Sequence, residues 1–268
     1  MLGLKALRTG SPFGARRTGF SLFIGLALPA CAFWELSDWD ANEGRLVEAP
    51  KDSAADGAES GASDGAPALN RYDYQNGVSP TASYLGTVDT VIRENAPNDA
   101  GGTTDPLHVD HDSPLGKRVV TLMRFDISDL KGRTVTSARL RLQITDPTTG
   151  PTPFNVYPLM RAWSDTNATW VFADPGNWTF PGAQQDAGSS PDRGGYLIGQ
   201  MSPKVEGPVD IDFTAAGVNL VQTWINDPAK NFGFVFDTRD NGDGVFFSSA
   251  TAPNPSERPR LTIELAPL

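Results

Sequence analysis

The chain has 268 residues, with 27 glycines, 22 prolines and a formal net charge of −10. The acidic balance argues against nucleic acid as the main partner, because phosphate binding requires a basic surface. The glycine and proline content favours many turns over long helices. The charge is spread unevenly: residues 1–31 carry +4, residues 32–70 carry −7 and residues 71–268 carry −7, which leaves room for a local basic patch in the last segment.

Residues 1–31 have the pattern of a bacterial lipoprotein signal. A basic stretch precedes the apolar run Phe20–Ala30, which is shorter than the roughly 20 residues that span a bilayer. The sequence Leu28–Cys31, "LPAC", resembles a lipobox, in which the cysteine is lipidated, and Cys31 is the only cysteine of the chain. We predict an extracellular lipoprotein that is anchored through Cys31 in the outer membrane. Cleavage after Ala32 with plain secretion is the alternative, and Arg16 and Arg17 hint at twin-arginine export.

Residues 32–75 are predicted to be an acidic flexible linker. The stretch Lys51–Asn70 consists mainly of Ala, Gly, Ser and Asp, and such a segment cannot bury enough surface to offset its conformational entropy. As a flexible coil, the chain from Cys31 to Arg71 would span roughly 35 Å. Gly61–Gly65, "GASDG", matches the G-x-S-x-G elbow of serine hydrolases, but the strand and helix that this elbow requires do not flank it.

Residues 76–268 are predicted to form one all-β domain. Short alternating or β-branched runs bounded by turn residues predict an antiparallel β-sandwich or barrel. One stretch differs, because Thr214–Asp227 has apolar residues at helical spacing and ends before Pro228, which predicts one short helix. The predicted strands are Thr87–Arg93, Leu107–Asp110, Arg118–Ile127, Val135–Thr145, Phe154–Met160, Tyr196–Met201, Val209–Phe213, Gly233–Thr238, Val245–Ser249 and Arg260–Leu265.

Two of these strands carry arginines on their polar faces. Arg124 and Asp126 alternate with apolar residues in the first, and Arg139 and Arg141 do so in the second. If the two strands pair as a hairpin, all four side chains share one surface with an excess of two positive charges. Because a guanidinium can bind a carboxylate with two hydrogen bonds, this surface is a candidate site for carboxylated sugars. The alternative is an outer face held by weak salt bridges, with Arg124 paired to Asp126.

Tryptophans are the second class of candidate, because an exposed aromatic ring can stack on a sugar. Trp178 lies in a loop rich in Gly, Pro and Asn, and we predict that it is exposed and contacts the ligand. Trp163, Trp170 and Trp224 are predicted to pack in the core.

No cofactor is predicted, although a structural calcium ion stays open. His108–Asp112 contains both histidines of the chain but lacks a third, which disfavours a transition-metal site. Asp237–Gly244 resembles a calcium loop, but Arg239 occupies a ligand position, and Asn241-Gly242 predicts a hairpin turn instead. Further carboxylates near strand ends are Asp89, Asp210 and Asp212.

A series of segments, in order, resembles the DNRLRE (disaggregatase-related) domain, classed as carbohydrate-binding module family 96. The resemblance spans roughly Tyr84 to Leu265, and it departs from the family pattern at Asp165, where the longer Glu is usual, and at Ala183, where a second glycine is. It implies a jelly-roll-like β-sandwich without catalysis, with uronate-rich polymers such as alginate as a ligand class. The segments are "DTVI", "LHV", "LMRFDIS", "VTSARLRL", "VYPLMRAWSDTNATW", "VDID", "NFGFVF", "FFSS" and "RPRLTI".

The sequence therefore predicts a surface lipoprotein whose non-catalytic β-sandwich binds an acidic polysaccharide. The predicted binding residues are Arg139, Arg141, Arg124 and Trp178. A structural or adhesive surface protein without a free glycan ligand is the alternative. A polysaccharide lyase is less favoured, because the Arg-Glu-Leu-Arg and Gln-Ile-His motifs of jelly-roll alginate lyases are absent.

Overall fold

The computed structural model describes residues 70–102, 104–112, 117–185, 191–239 and 241–267. The predicted signal peptide, Cys31 and residues 32–69 of the predicted linker lie outside these residues. No helix in the described ranges combines the length and the hydrophobicity that crossing a membrane requires.

The described chain is an antiparallel β-structure with one α-helix, which confirms the predicted fold class. Each of the ten predicted strands is present, with ends that differ by a few residues at most. One strand, Arg71–Tyr74, was not predicted, and it lies within the segment assigned to the linker. The strands are β1 (Arg71–Tyr74), β2 (Thr87–Arg93), β3 (Leu107–Asp112), β4 (Lys117–Phe125), β5 (Val135–Asp146), β6 (Phe154–Pro158), β7 (Gly199–Met201), β8 (Gly207–Asp212), β9 (Phe234–Asp237), β10 (Val245–Phe247) and β11 (Arg260–Leu265), and the helix is α1 (Ala215–Asn226).

The strands form two layers. In the first sheet β5 is central and pairs with β8 on one edge and with β11 and β10 on the other, while β1 pairs with β11. In the second sheet β4 pairs with β2 and β9, and β9 continues through β6 to β7. Strand β3 pairs with both β10 and β4, so it joins the two sheets along one side.

The main core lies between the sheets and follows the alternation of the strands. Leu140 and Leu142 of β5 point inward and are buried against Met123 and Phe125 of β4. Helix α1 closes one end of this core with Val221, Trp224 and Ile225. The helix begins after Thr214, whose side-chain oxygen accepts a hydrogen bond from the Gly217 amide at 3.2 Å and so satisfies one free N–H of the first turn.

A second apolar cluster lies on the outer face of the second sheet. Val120 and Leu122 of β4 point outward, and residues 159–185, which we call the cover segment, pack over them. Trp163, Trp170 and Trp178 of the cover segment are 4%, 5% and 4% exposed, and the Trp178 indole N–H donates to the Thr169 carbonyl at 2.9 Å. The predicted burial of Trp163, Trp170 and Trp224 is therefore confirmed, while the predicted exposure of Trp178 is wrong.

Strands β4 and β5 do not form a hairpin, contrary to the arrangement considered from the sequence. A short 3-10 turn, Ser128–Leu130, carries the chain from the second sheet to the first, and Ile127 and Leu130 are buried at this corner. Both strands have an apolar inward face, and these faces bury the most surface when they meet across the core. Asn241-Gly242 is likewise not a hairpin turn, because it links β9 of the second sheet to β10 of the first.

Candidate functional site

An open groove of about 370 Å³ lies on the outer face of the first sheet. We call it the arginine groove, because it receives one arginine from β1, two from β5 and one from β11. Alternation along each strand points these side chains away from the core. Its charged lining residues are Arg71, Arg139, Arg141, Arg260, Asp210, Asp212 and Glu264.

Arg139 and Arg141 point away from the core, as their alternation predicted. Both lie in this groove, and each faces an aspartate of β8. Arg139 is directly opposite Asp212, with Nε to Oδ1 at 2.5 Å, and Arg141 is opposite Asp210, with Nη1 to Oδ2 at 3.5 Å. The hydrogen bond and charge of Asp212 raise the pKa of Arg139. The two arginine side chains are 53% and 41% exposed, so solvent reaches both ion pairs. These aspartates offset the positive charge that the sequence predicted for the surface.

Arg260 adds a further positive charge to the arginine groove. It lies directly opposite Arg141 on the neighbouring strand β11, and it makes no ion pair with any described carboxylate. Like charges directly across a strand pair repel one another. An anion placed between the two guanidinium groups would remove this repulsion, so the pair favours a negatively charged ligand.

Arg71 and Arg260 were not among the residues singled out from the sequence. The alternation of Arg260, Thr262 and Glu264 is visible in "RPRLTIEL" and indicates an outward polar face. Their placement beside Arg139 and Arg141 depends on the pairing of β11 with β5 and of β1 with β11, which alternation within one strand does not specify.

Arg124 lies elsewhere, on the outer face of the second sheet. Its guanidinium is over the ring of Trp163, 5.7 Å from the ring centre, and it lines a separate groove of about 340 Å³. Asp126 lines the same groove but makes no ion pair with an arginine in the described structure; it accepts a hydrogen bond from the Ser128 amide at 3.1 Å instead. The predicted pairing of Asp126 with an arginine is therefore wrong. We call this depression the Arg124 groove.

A third groove, of about 520 Å³, is mostly apolar and lies beside α1. Tyr196 and Met160 line it and are 40% and 47% exposed, and partial burial raises the pKa of the Tyr196 phenol. Lys230, Asn219 and Thr223 supply its polar groups. The exposed aromatic ring that was predicted at Trp178 is thus found at Tyr196.

The carboxylates considered for calcium have other partners. Asp210 and Asp212 pair with arginines, Asp89 accepts a hydrogen bond from the Ala250 amide at 2.6 Å, and Asp237 is buried between Arg118 and Arg193. His108 stacks on Phe246 with ring centres 3.9 Å apart. Within the described ranges, no group of three or more His, Cys, Asp or Glu side chains is arranged to hold a metal ion.

Residues 80–174 match the sequence model of carbohydrate-binding module family 96. This region is a family 96 carbohydrate-binding module. The match extends from β2 through β6 into the cover segment, and it includes Arg124, Arg139 and Arg141 but not Trp178 or Arg260. The same sandwich is completed by residues beyond the match, because β8, β9 and β11 pair with strands of the module. No curated protein matches the chain.

Proposed function

We propose that the protein is a non-catalytic module that binds an acidic, uronate-type polysaccharide through the arginine groove. The observation that carries this proposal is the direct opposition of Arg141 and Arg260 on neighbouring strands. Among the described residues, Arg141 pairs with Asp210 at 3.5 Å and Arg260 makes no ion pair. A uronate carboxylate can accept two hydrogen bonds from one guanidinium, and a carboxylate between the two arginines would contact both.

The exposed ion pairs of the groove support ligand exchange. Salt bridges between solvent-exposed side chains contribute little to stability, so a sugar carboxylate can replace Asp210 beside Arg141 at small cost. Asp210 is then free to accept hydrogen bonds from sugar hydroxyl groups, while Asp212 stays paired with Arg139. The groove therefore offers donors for carboxylates and acceptors for hydroxyls along the same surface.

Affinity electrophoresis tests the ligand and the site together. We expect migration of the wild-type protein to be retarded in gels cast with alginate or pectin and not in gels cast with a neutral glucan. Combining Arg141→Ala with Arg260→Ala should strongly reduce the retardation. The matched control is Arg93→Ala, because Arg93 lies on β2 and lines none of the three grooves.

Other outcomes of this experiment favour other readings. No retardation of the wild type in any gel would support the structural or adhesive alternative. Retardation as strong as that of the wild type after the double substitution would place the main glycan site outside the arginine groove. A rise in the ultraviolet absorbance of a polyuronate solution, as unsaturated products form, would identify a lyase.

We also propose that Cys31 is lipidated and that the module is displayed on the cell surface, on the strength of the lipobox-like "LPAC" sequence. Metabolic labelling with a palmitate analogue should mark the wild-type protein and leave Cys31→Ala unlabelled. Equal labelling of the two proteins would disprove the lipid anchor.

A further inference from the structure

The Arg124 groove has features of a binding site that are independent of the arginine groove. It lies on the second sheet, between the end of β4 and the turn that follows α1. Its lining combines a guanidinium, a carboxylate, a hydroxyl and an indole. The lining residues are Gly86, Val88, Arg124, Asp126, Ser128, Trp224, Pro228 and Asn231.

Arg124 is available to a ligand. It makes no ion pair within the described structure, although Asp126 lies only two residues away, just beyond the end of β4, and its guanidinium lies over the ring of Trp163. A ligand carboxylate at this position would not have to displace a protein carboxylate. In this respect Arg124 differs from Arg139 and Arg141, which both face aspartates.

Hydrogen bonds hold one wall of the groove in place. The Asp126 amide donates to the Gly86 carbonyl at 2.8 Å, and the Tyr84 hydroxyl donates to the Asp126 carbonyl at 3.0 Å. Gly86 has no room for a side chain, because a Cβ would lie 2.7 Å from the Tyr84 ring and 2.8 Å from Asp126 Cβ. The backbone of Asp126 is therefore held in place before any ligand arrives, which favours specific binding.

The opposite wall is fixed in a similar way. The Asn231 side-chain amide donates to the Phe125 carbonyl at 2.7 Å and its oxygen accepts from the Gly233 amide at 3.2 Å. Trp224, which is 1% exposed, also lines the groove, and its indole N–H has no acceptor in the described structure. A buried donor without a protein acceptor is uncommon in folded proteins, and a ligand or a water molecule can complete its hydrogen bonding.

We infer that the Arg124 groove is a second carbohydrate site, which holds one uronate residue with its carboxylate on Arg124 and its hydroxyls on Asp126 and Ser128. A neutral sugar would leave the guanidinium without a carboxylate, and a simple anion would leave Asp126 without hydroxyl donors. Of the small ligands that combine a carboxylate with several hydroxyls, a uronate is the chemical class that satisfies both. This site goes beyond the proposed function of the arginine groove and does not depend on it.

Tryptophan fluorescence separates the two sites, because Trp163 and Trp224 lie at the Arg124 groove and none of the tryptophans in the described residues lines the arginine groove. We expect glucuronate to change the emission of the wild-type protein in a saturable way, and glucose at equal concentration to leave it unchanged. Arg124→Gln should raise the Kd for glucuronate by about ten-fold or more, because a charge-assisted hydrogen-bond pair is lost. Arg93→Gln is the matched control and should bind as the wild type does.

Two further variants keep the test decisive. Combining Arg141→Gln with Arg260→Gln should leave the fluorescence titration unchanged while it weakens retardation in alginate gels, so the two proposals fail independently. Asp126→Asn should lower the Kd by a few-fold, because it removes a negative charge beside the bound carboxylate while its side-chain oxygen can still accept from Ser128. Absence of a saturable change in the wild type, equal responses to glucose and glucuronate, or an unaltered Kd in Arg124→Gln would overturn the inference.

Discussion

On both sheets, outward-facing side chains alternate with core residues along the strands, but one outer face is exposed to solvent and the other is buried. On the first sheet, β5 directs Arg139 and Arg141 outward, and the face stays open to solvent. On the second sheet, β4 directs Val120 and Leu122 outward, and the cover segment buries them beneath three tryptophans. An apolar outward face must be covered by further chain, whereas a charged one can remain as a surface for ligands.

The ion pairs on the two faces likewise differ in their exposure to solvent. Asp237, at the covered face, is 2% exposed and bonds to Arg118 at 2.8 Å and to Arg193 at 2.6 Å. Asp212, at the open face, is 72% exposed. A buried charge that loses its partner remains without water, while an exposed one is hydrated at once. The ion pairs of Asp237 therefore stabilise the fold, whereas the exposed pair of Asp212 with Arg139 can exchange partners.

The sharpest test removes one carboxylate from each face. Asp237→Ala leaves two buried guanidinium groups without a counter-ion, and we expect the free energy of unfolding to fall by about 5 kcal/mol. Asp212→Ala should leave the urea unfolding midpoint within measurement error. Similar losses for the two variants would contradict the distinction between the faces.

The cover segment itself is tested by Trp178→Ala. Removing this buried ring opens a cavity in the second apolar cluster, and we expect a loss of about 4 kcal/mol in unfolding free energy. Phe180→Ala is the control, because Phe180 lies two residues away in the chain and is 40% exposed. The two variants should differ clearly in thermal midpoint, and glycan retardation of folded Trp178→Ala should match the wild type. If Trp178→Ala lost retardation without losing stability, Trp178 would have to contact the glycan.

Asp89, a buried carboxylate of β2, should make the free energy of unfolding depend on pH. We expect this effect to be smaller than those of the substitutions above. Burial, with smaller contributions from Asp105 and Asp165, outweighs the hydrogen bond from Ala250 and raises the pKa of Asp89 from 3.8 to about 7. The folded protein thus keeps a proton that the unfolded chain releases, so the free energy of unfolding falls as the pH rises from about 4 to about 7 and is then level.

Asp89→Asn should remove this slope and, above the folded-state pKa, raise the unfolding free energy by on the order of 2 kcal/mol. Denaturant titrations across that pH range measure the slope, and Asp212→Asn, at the exposed face, should retain it. A slope that persists in Asp89→Asn would mean that another buried group titrates.

Most of the fold could be predicted because apolar and polar residues alternate within the sequence of each strand. Strand β1 was missed because "RYDY" is short and follows a segment of small residues, so only Tyr72 and Tyr74 mark its period. The burial of Trp178 was missed for a different reason. The cover segment is mostly irregular, and periodicity contains no information on which side of an irregular segment faces a sheet.

The candidate site was only partly predictable. Alternation was sufficient to place Arg139 and Arg141 on an exposed face. Their partners Asp212 and Asp210 lie 73 and 69 residues away along the chain, and Arg260 joins them only through the register of β11. Those pairings arise from the burial of the opposite faces of the same strands, which is a property of the whole sandwich.

Strand β1 determines how mechanical force would reach the arginine groove. It pairs with β11 from Arg71 to Tyr74, and the Leu265 amide donates to the Asn70 carbonyl at 2.7 Å. A pull on the residues that precede Asn70 enters the fold at β1 and passes through β11 to β5, the strands that line the groove. When the pull runs along β1, it loads these hydrogen bonds together in shear. A module held from that side and bound to a polysaccharide would therefore resist traction through three neighbouring strands, with the rest of the sandwich outside the line of tension.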